Sequence, residues 1–340
     1  MTIKHILQAG FLVSILTSCN PVDEVGPEIC PSDAFSIASS DLNIDVVSGN
    51  LSSTLEDSEN EVDLSSEGAH IFTDFGEEVD WVLNISNGTQ EKNYSGTSAK
   101  LDVYWYGQPD KFLDSKLQFD PGNVKVSLTV VCHEVVQKSF DLIGKQNFSS
   151  LNPKYGFLLR DWDKNGVFPV LEDSFNGADG WAGGAGALDS WDANYYDVFS
   201  SPAGGKYMQL HGYGTGSYWY LGGTSIDMSN FSDLVSTENL DSLYLNVLVS
   251  AEDGAINTGS QIALKAAGKT YLRLEDINWK GWKMLSYKLS DFATSSGAKL
   301  SSINITTFVM QLGAQPEQSS DLKVRYDFVL FTVGAPLFDE

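Results

Sequence analysis

Large aromatic side chains are concentrated in the second half of the chain, where their neighbours are unusual for a hydrophobic core. Two groups stand among glycine, Asp and Asn, a setting typical of loops, where large aromatics more often make contacts than form core. A third group alternates with glycine along residues 205–220, a strand-like pattern that places successive rings on opposite faces. The candidate contact residues are Trp181, Trp191, Tyr195, Tyr196, Tyr213, Tyr218 and Tyr220.

Exposed rings of this kind fit a carbohydrate ligand. The electron-rich ring face packs against the axial C–H groups of a pyranose, while the phenol or indole keeps a polar group for water or hydroxyls. The sequence therefore predicts an aromatic platform that binds a sugar polymer. The alternative is that many of these rings fill the core of a β-sandwich.

A second group of residues has the spacing of a calcium-binding loop. Asp161, Asp163, Asn165, Gly166 and Glu172 occupy positions 1, 3, 5, 6 and 12 of that pattern, in which oxygen ligands wrap one ion. No helix is predicted on either side, and a proline interrupts the loop. The alternative is a polar turn between two domains.

Residues suited to catalysis do not form a recognisable constellation. The four histidines are scattered, so neither a zinc cluster nor a nucleophile–His–acid triad is predicted. Carboxylates are abundant, but they lack the spaced Glu-x-Asp-x-x-Glu arrangement of jelly-roll glucanases, and no glycine-rich phosphate loop is present. The sequence therefore predicts no catalytic residues and a protein that is not an enzyme.

The charge balance limits the partners. The 340 residues include 21 basic and 45 acidic ones, which gives a formal net charge of −24. A nucleic-acid partner would require a dense basic stripe, and none is present. A neutral polymer suits the negative surface better than an acidic one, because like charges repel.

The amino terminus predicts a membrane anchor rather than a membrane span. Residues 1–18 have a basic start and a short apolar run, as in a signal peptide, and the small residues before Cys19 resemble the bacterial lipobox. That resemblance implies cleavage before Cys19 and its lipidation; the alternative is ordinary cleavage near Ser18. Residues 19–40 are predicted to be a tether, and its acidic start resembles the surface-export signal of Bacteroidetes lipoproteins.

The two remaining cysteines, Cys30 and Cys132, form an even pair if Cys19 carries lipid. In an oxidising exterior they either form a disulfide or remain two unpaired thiols. A disulfide would tie the tether to the first domain.

Regular structure is predicted to be almost entirely β, because short runs of β-branched and aromatic residues alternate with turn residues. The predicted order is a first β-sandwich at 41–145, a linker at 146–169 and a second β domain at 170–340. Within the first domain, the acidic and serine-rich stretch 51–66 is predicted to be a solvated loop.

Both domains resemble known modules. The alternation Ala99-Leu101-Val103-Trp105, followed by Gly107 and Phe119-Asp120-Pro121-Gly122, resembles the immunoglobulin-like PKD modules of surface lipoproteins. The stretch 278–292, the strand 324–331 and Ser174-Phe175 resemble carbohydrate-binding modules of the galactose-binding-like jelly-roll type. That second resemblance implies that Trp282 is structural, and that a structural calcium ion is held by Glu172, Asp173 and Asp327.

The whole arrangement resembles glycan-binding lipoproteins of Bacteroidetes polysaccharide-uptake systems of the Sus type. The resemblance implies an outer-membrane protein that is lipid-anchored, faces the cell exterior and captures a polysaccharide, such as a neutral β-glucan, for an outer-membrane transporter complex. The alternatives are a jelly-roll glycoside hydrolase or lyase, and an adhesin that binds a protein.

Overall fold

The structure is a computed structural model, and it describes residues 37–38, 40–48, 51–112, 116–144, 148, 151, 156–160, 180–182, 190–196, 201–216, 222–235, 240–251, 258–314 and 318–338. Residues 37–340 form one compact unit. Within the described residues, helical elements include α1 (Phe231–Leu234) and short 3₁₀ turns at Glu56–Ser58, Leu240–Ser242 and Leu289–Asp291.

The remaining elements are strands. In chain order they are β1 (Asn43–Ser48), β2 (Leu51–Thr54), β3 (Glu61–Asp63), β4 (Gly68–Ser86), β5 (Glu91–Trp105), β6 (Gly122–Val130), β7 (Val136–Ile143), β8 (Gly156–Arg160), β9 (Gly180–Ala182), β10 (Ser190–Tyr196), β11 (Tyr207–Gly216), β12 (Gly222–Asp227), β13 (Leu243–Ala251), β14 (Thr258–Ala266), β15 (Lys269–Asp276), β16 (Gly281–Lys288), β17 (Ile305–Ala314) and β18 (Gln318–Val333).

The first sandwich is built around the long hairpin of β4 and β5. The register of this hairpin shifts between Asp74 and Val79, and β4 changes its second neighbour there, from β1 before the shift to β6 after it. A bulge of this kind bends a strand, so one continuous sheet, in the order β2-β1-β4-β6-β7-β3 with β5 on β4, folds over itself. The third strand closes the far edge by pairing parallel to β7.

The two halves of this folded sheet enclose a core centred on Trp105. This fully buried ring meets Phe119 edge-on at 4.9 Å and Phe140 of β7 at 6.1 Å. Alternate residues of β6 and β7 are buried, the period expected of strands with one face on a core. The indole N–H of Trp105 donates to the carbonyl of Gln108, which satisfies its one polar group.

The second sandwich consists of two antiparallel sheets. The six-stranded sheet has the order β10-β11-β18-β13-β16, with β8 also paired to β18; the five-stranded sheet has the order β15-β14-β17-β12-β9. One large apolar cluster fills the space between them, with Leu245 and Phe331 from the first sheet and Ile262 and Phe308 from the second. This two-sheet arrangement is jelly-roll-like.

A tyrosine in the middle of this core is fully hydrogen-bonded. The Tyr326 hydroxyl donates to the Gln311 carbonyl at 2.8 Å and lies 2.8 Å from the buried Ser260 hydroxyl. Burial raises the pKa of the Tyr326 phenol, and the hydrogen bond with Ser260 partly opposes that shift. The folded protein therefore favours the neutral phenol more strongly than the unfolded chain does.

Tyr326→Phe is expected to lower the free energy of unfolding by about 1–2 kcal/mol at neutral pH, because Ser260 and Gln311 each lose a buried partner. The wild-type contribution of the neutral phenol is present below the unfolded pKa of about 10 and is lost as the pH rises above it. Urea unfolding from pH 7 to 11.5 should therefore show a shallower alkaline decline in the variant. An identical decline in both proteins would contradict this account.

The last strand contains a bulge at its centre. Asn246 of β13 pairs with Leu330, but Leu248 pairs with Asp327, so β18 has one extra residue at this point. Phe328 takes up the difference with a left-handed φ of 48°. As a result, Asp327 and Phe328 both lie on the outer face of the six-stranded sheet, and the inward alternation resumes at Val329.

The two sandwiches share a second apolar cluster, which we call the junction cluster. It joins buried residues of the outer face of the six-stranded sheet with residues of the connections around it. Phe148 meets Phe328 edge-on at 4.6 Å, and Phe112 contacts Phe338 at 5.5 Å. Its buried members are Leu117, Phe148, Leu158, Leu248, Met284, Phe328, Leu330, Leu337 and Phe338.

The predicted fold class is confirmed: the protein is all-β, with two β-sandwiches in succession. Two predicted segments differ in detail. The stretch 51–66 is not a plain loop, because it contains β2 and β3 and buries Leu55, Val62 and Leu64. The predicted linker 146–169 contains β8, which pairs with β18 of the second sandwich. In the described part of the chain, no helix is long and apolar enough to cross a membrane.

Candidate functional site

The structure places most of the predicted aromatic contact residues in strands rather than loops. Trp181 lies in β9, Trp191, Tyr195 and Tyr196 lie in β10, and Tyr213 lies in β11. The loop assignment of Trp181, Trp191, Tyr195 and Tyr196 was therefore wrong, because pairing with a neighbouring strand overrides the local turn preference of Gly, Asp and Asn, whereas Tyr213 lies in a strand as predicted. Tyr218 and Tyr220 lie outside the described residues.

The fold brings these strands together at one side of the second sandwich. β9 is the edge strand of the five-stranded sheet, where Trp181 pairs with Gly223, and β10 is the edge strand of the six-stranded sheet, where Trp191 pairs with Gly212. The two edge strands contact each other, and β10 also contacts β12. The predicted residues thus converge on one edge of the sandwich despite their separation in sequence.

From this edge, a row of directly paired residues, polar except for the last, crosses five strands of the six-stranded sheet. Asn194 of β10 pairs with Gln209, Gln209 with Arg325, Arg325 with Ser250, and Ser250 with Trp282 of β16. Directly paired residues of antiparallel strands lie on the same face. This row lies on the outer face, because Met208, Leu210, Val324 and Tyr326 on either side of it belong to the sandwich core.

Four side chains of this face are in mutual contact, and we call them the Tyr207 cluster: Tyr207, Gln209, Trp282 and Arg325. The Tyr207 and Trp282 rings meet edge-to-face at 5.5 Å and 71°. The Arg325 guanidinium lies 5.8 Å from the centre of the Tyr207 ring, and its Nε donates to Gln209 Oε1 at 3.1 Å. These contacts fix the orientation of two rings, one cation and one amide.

Burial within this cluster is uneven. Tyr207 is 1% exposed and Arg325 is 5% exposed, whereas Gln209 and Trp282 are partly exposed. Trp282 also packs against the junction cluster. It therefore lies at the border between the part of the outer face that the junction cluster covers and the part that this cluster does not cover. The accessible groups of the cluster are therefore the Trp282 indole and the Gln209 amide, which can pack on C–H faces and bind hydroxyls, while the buried Tyr207 and Arg325 hold them in place.

Sequence reasoning missed the Tyr207 cluster. The resemblance to carbohydrate-binding modules implies that Trp282 is structural, and no local motif marks Gln209 or Arg325 as a contact residue. The available signal was the alternation Tyr207-Met208-Gln209-Leu210, which puts the ring and the amide on one face opposite two apolar residues. The contact with Arg325 and Trp282 depends on strand order, which no local pattern reveals.

The predicted calcium ligands fall almost entirely outside the described residues, namely Asp161, Asp163, Asn165, Glu172 and Asp173. Asp327 is described and is fully buried. Its Oδ1 accepts the Phe328 amide at 2.7 Å, and its Oδ2 accepts the Ser201 hydroxyl. These contacts suit a carboxylate that stabilises the bulge. Among the described residues, no group of three His, Cys, Asp or Glu side chains is placed to hold a metal ion.

Cys132 lies in the turn after β6 and is disulfide-bonded. The other cysteines of the chain, Cys19 and Cys30, lie outside the described residues, so the pairing with Cys30 stays a prediction.

Non-reducing peptide mapping of the mature protein is expected to recover Cys132 joined to Cys30, since a lipidated Cys19 has no free thiol. Mapping after reduction and alkylation is the control, and it should release both peptides. A Cys19–Cys132 peptide would contradict both the pairing and the lipidation.

Comparisons with known proteins identify no family. No family model matches the chain, and no curated protein matches it in sequence. The described fold is similar to solved structures at low identity. One is a carbohydrate-binding module of the β-sandwich superfamily, with 10% identity over 78% of this chain and 92% of that chain and a TM-score of 0.36.

Two further similar structures have named sources. The family 11 carbohydrate-binding module from Clostridium thermocellum, in complex with a β-1,3-1,4-mixed-linked tetrasaccharide, has 15% identity over 53% of this chain and 96% of its own, with a TM-score of 0.34. SGBP-B from a complex xyloglucan utilization locus in Bacteroides uniformis has 12% identity over 78% and 68%, with a TM-score of 0.35. Similarity at this level is too distant to assign a function, which must come from the chain's own residues.

Proposed function

We propose that this protein is a non-catalytic polysaccharide-binding protein, and that it holds its ligand on the outer face of the six-stranded sheet. The observation that carries the proposal is the Tyr207 cluster, in which Trp282 and Tyr207 are fixed against Arg325 and Gln209. The partly exposed Trp282 ring, held in a fixed orientation beside the partly exposed Gln209 amide, matches the apolar C–H groups and the hydroxyls of a sugar. The edge strand β10, with Tyr196 at the register position paired with Tyr207, would extend this surface.

A neutral glycan fits the protein better than an acidic one. The net charge of −24 repels a polyanion, and the guanidinium of the cluster is already engaged with Tyr207 and Gln209. Single contacts would be weak, with dissociation constants in the micromolar to millimolar range, or about −4 to −8 kcal/mol. Repeated binding along a polymer of a neutral β-glucan type would raise the overall avidity.

The cellular setting of the proposal follows from the amino terminus. Residues 1–18 would be removed as a signal peptide, and lipidated Cys19 would anchor the protein to the outer membrane, facing the exterior. The glycan would then pass to an outer-membrane transporter complex. The hypothesis also includes a structural calcium ion in the second domain. Substitution of its predicted ligands would test whether the ion binds.

Cys19→Ala is expected to move the protein from the detergent phase to the aqueous phase in detergent phase partitioning, because the lipid is its only proposed anchor. Metabolic labelling with a palmitate analogue should report the loss of the lipid directly. Cys30→Ala serves as the matched control and should keep the label. Continued labelling of the Cys19→Ala protein would exclude Cys19 as the lipidation site.

Affinity electrophoresis tests the proposed function itself. The protein should be retarded in native gels that contain neutral polysaccharides, with mixed-linkage β-glucan, xyloglucan and galactomannan as probes, and should migrate normally with alginate and pectin. Tyr196→Ala, at a position that pairs with Tyr207 and so shares the outer face, should reduce the retardation. Normal migration in every gel would refute polysaccharide binding and would favour a protein ligand.

A different measurement distinguishes the proposed binding protein from the enzyme alternative. A reducing-sugar assay and an unsaturated-product assay on the same polysaccharides should show no turnover at low protein concentration. Measurable turnover would replace the binding proposal by a hydrolase or lyase.

A further inference from the structure

A pocket of about 260 Å³ lies where the two sandwiches meet, and we call it the junction pocket. Its first wall comes from β5 and the residues that follow this strand. Its second wall comes from the outer face of the six-stranded sheet and the segment after β18. The volume is close to the lower end of the usual range of small-ligand sites, roughly 300–1,000 Å³. The pocket therefore suits a small ligand rather than a long polymer segment.

Four polar or aromatic residues of β5 line the junction pocket and share one face of the strand. In the β4–β5 hairpin, the extra residues of the register shift lie in β4, between Asp74 and Val79. Alternation along β5 is therefore unbroken, and its even-numbered residues all lie on the same face. The four residues are Lys92, Tyr94, Asp102 and Tyr104.

The Tyr104 ring has a fixed orientation in this wall. It stacks on the His70 imidazole at 4.0 Å and 14°, and His70 stacks in turn on Phe72 at 4.5 Å. The His70 Nε2 lies 2.8 Å from Oδ1 of Asp102, which lines the same pocket. One partly exposed phenol ring and one carboxylate are thus held in place before any ligand arrives.

The more buried part of the first wall is polar. The Lys92 ammonium lies 3.4 Å from Asp110 Oδ1 and 5.3 Å from the centre of the Tyr94 ring. The Gln108 side chain accepts the Tyr106 amide at 2.9 Å and donates to the Tyr94 hydroxyl at 3.4 Å. An ammonium has three N–H donors, and a side-chain amide both donates and accepts. These groups are therefore suited to binding ligand hydroxyls.

The second wall is held in place by the buried Asn246. The Thr332 hydroxyl accepts the Asn246 side-chain amide at 3.1 Å and donates to the Ala335 carbonyl at 2.6 Å. Asn246 Oδ1 accepts the Leu337 amide at 2.9 Å. Ala335 is exposed and lines the pocket between these two anchored residues. The walls belong to different sandwiches, so a ligand in the pocket contacts both.

Burial differs between the base and the rim of the junction pocket. Lys92, Tyr106 and Leu330 are buried, whereas the Asp102 side chain is 53% exposed. A small pocket with a buried base admits the end of a chain. An internal segment of a polymer would need an open cleft that it can leave on both sides.

The charges of the pocket disfavour an ionic ligand. The Lys92 ammonium is paired with Asp110, and Asp102 places a carboxylate at the rim, so an anion would be repelled. A cation would meet the Lys92 ammonium at the base. A purely apolar ligand would bury that ammonium and the Gln108 amide without new hydrogen bonds. A neutral ligand with hydroxyls for these groups and C–H faces for the tyrosine rings matches the pocket.

We propose that the junction pocket binds one end of a neutral glycan, one or two sugar units long, between the two sandwiches. The inference rests on the proposed function and deepens it. The outer face of the six-stranded sheet would hold the polymer along its length, and the junction pocket would recognise a chain end. The first sandwich would then contribute ligand contacts of its own.

The test observes the Tyr104 ring directly, by two-dimensional NMR of the full mature protein with ¹³C-labelled tyrosine rings. Cellobiose, laminaribiose, mannobiose and maltose are the neutral probes, and digalacturonate is the acidic one. The Tyr104 signal is assigned by its absence from Tyr104→Phe. The titration is done in the Trp282→Ala background, so that the proposed sheet-face site does not contribute.

A saturable shift of the Tyr104 signal with at least one neutral disaccharide, and none with digalacturonate, is the expected result. Ala335→Trp should weaken that binding about tenfold or more, because the new ring occupies the pocket and leaves the first wall unchanged. Thermal unfolding of the same variant checks that it is folded. Val135→Trp makes the same kind of change at an exposed residue outside the pocket and should leave the titration unaltered.

A Tyr104 signal that stays fixed with every neutral disaccharide would overturn the inference, and so would equal binding by the Ala335→Trp variant. Equal binding of digalacturonate would overturn the assignment to a neutral glycan. Failure of the proposed function is read separately, from gel retardation of wild type and Trp282→Ala. If the two gels match while the Tyr104 signal shifts, the junction pocket binds sugar and the sheet face does not.

Discussion

Trp282→Ala is expected to abolish most of the retardation of this protein in neutral polysaccharide gels. Trp282 is partly exposed and supports Tyr207 through an edge-to-face contact at 5.5 Å. Its removal takes away one ring of the proposed surface and frees Tyr207, which also carries the Arg325 contact. Truncation of a central aromatic anchor reduces the binding free energy by about 2 kcal/mol or more, which raises the dissociation constant roughly 30-fold.

The control for this variant is Trp279→Ala, in the turn just before β16. Trp279 is also partly exposed, but it packs against the core of the second sandwich, and its indole N–H donates to the Val249 carbonyl at 3.4 Å. We expect this variant to lose stability and keep its retardation. Trp282→Phe should retain part of the binding because it keeps a ring. Normal retardation of Trp282→Ala, with the fold intact, would remove the sheet face as the binding site.

Phe328→Ala is expected to lower the free energy of unfolding by about 3–5 kcal/mol, the usual cost of removing a buried phenylalanine. Phe328 is 1% exposed and contacts Phe148 at 4.6 Å, so the change opens a cavity in the junction cluster. Because this cluster joins the two sandwiches, the single unfolding transition should broaden or separate into two. Differential scanning calorimetry and urea unfolding measure both effects.

The stability of Phe328→Ala is best compared with that of Phe328→Gly. In an ordinary strand, glycine is less stable than alanine, but Phe328 has a φ of 48°, which costs a residue with a Cβ about 1–2 kcal/mol. Glycine should therefore unfold at a higher urea concentration than alanine at this position. The opposite order would mean that the left-handed bulge is not present in solution.

The strands of the first sandwich were largely predictable because their pattern is local. In β6, the residues Val124, Val126, Leu128 and Val130 alternate with polar ones and are all buried. The stretch 51–66 was predicted as a loop because acidic and serine residues surround its four apolar ones. Val62 and Leu64 are buried there only because β3 pairs with β7, which follows much later in the chain.

The candidate site was even less predictable from local sequence patterns than the fold. The composition of the chain indicated aromatic contacts on a β-sandwich, and the strands of Trp181 and Trp191 do meet at one edge. Which residues share a face depends on register across five strands, and the Arg325–Ser250–Trp282 row exists only after β13 has inserted between β16 and β18. Local alternation carries no information about that order.

The apolar contact between the sandwiches has a mechanical consequence. Phe148 packs on Phe328, and Phe112 packs on Phe338, so a swinging motion of one sandwich relative to the other would expose these rings to water. Tension on a polymer held by the second sandwich would pass through this contact into the first sandwich with little compliance. The two sandwiches would behave as a stiff lever under load.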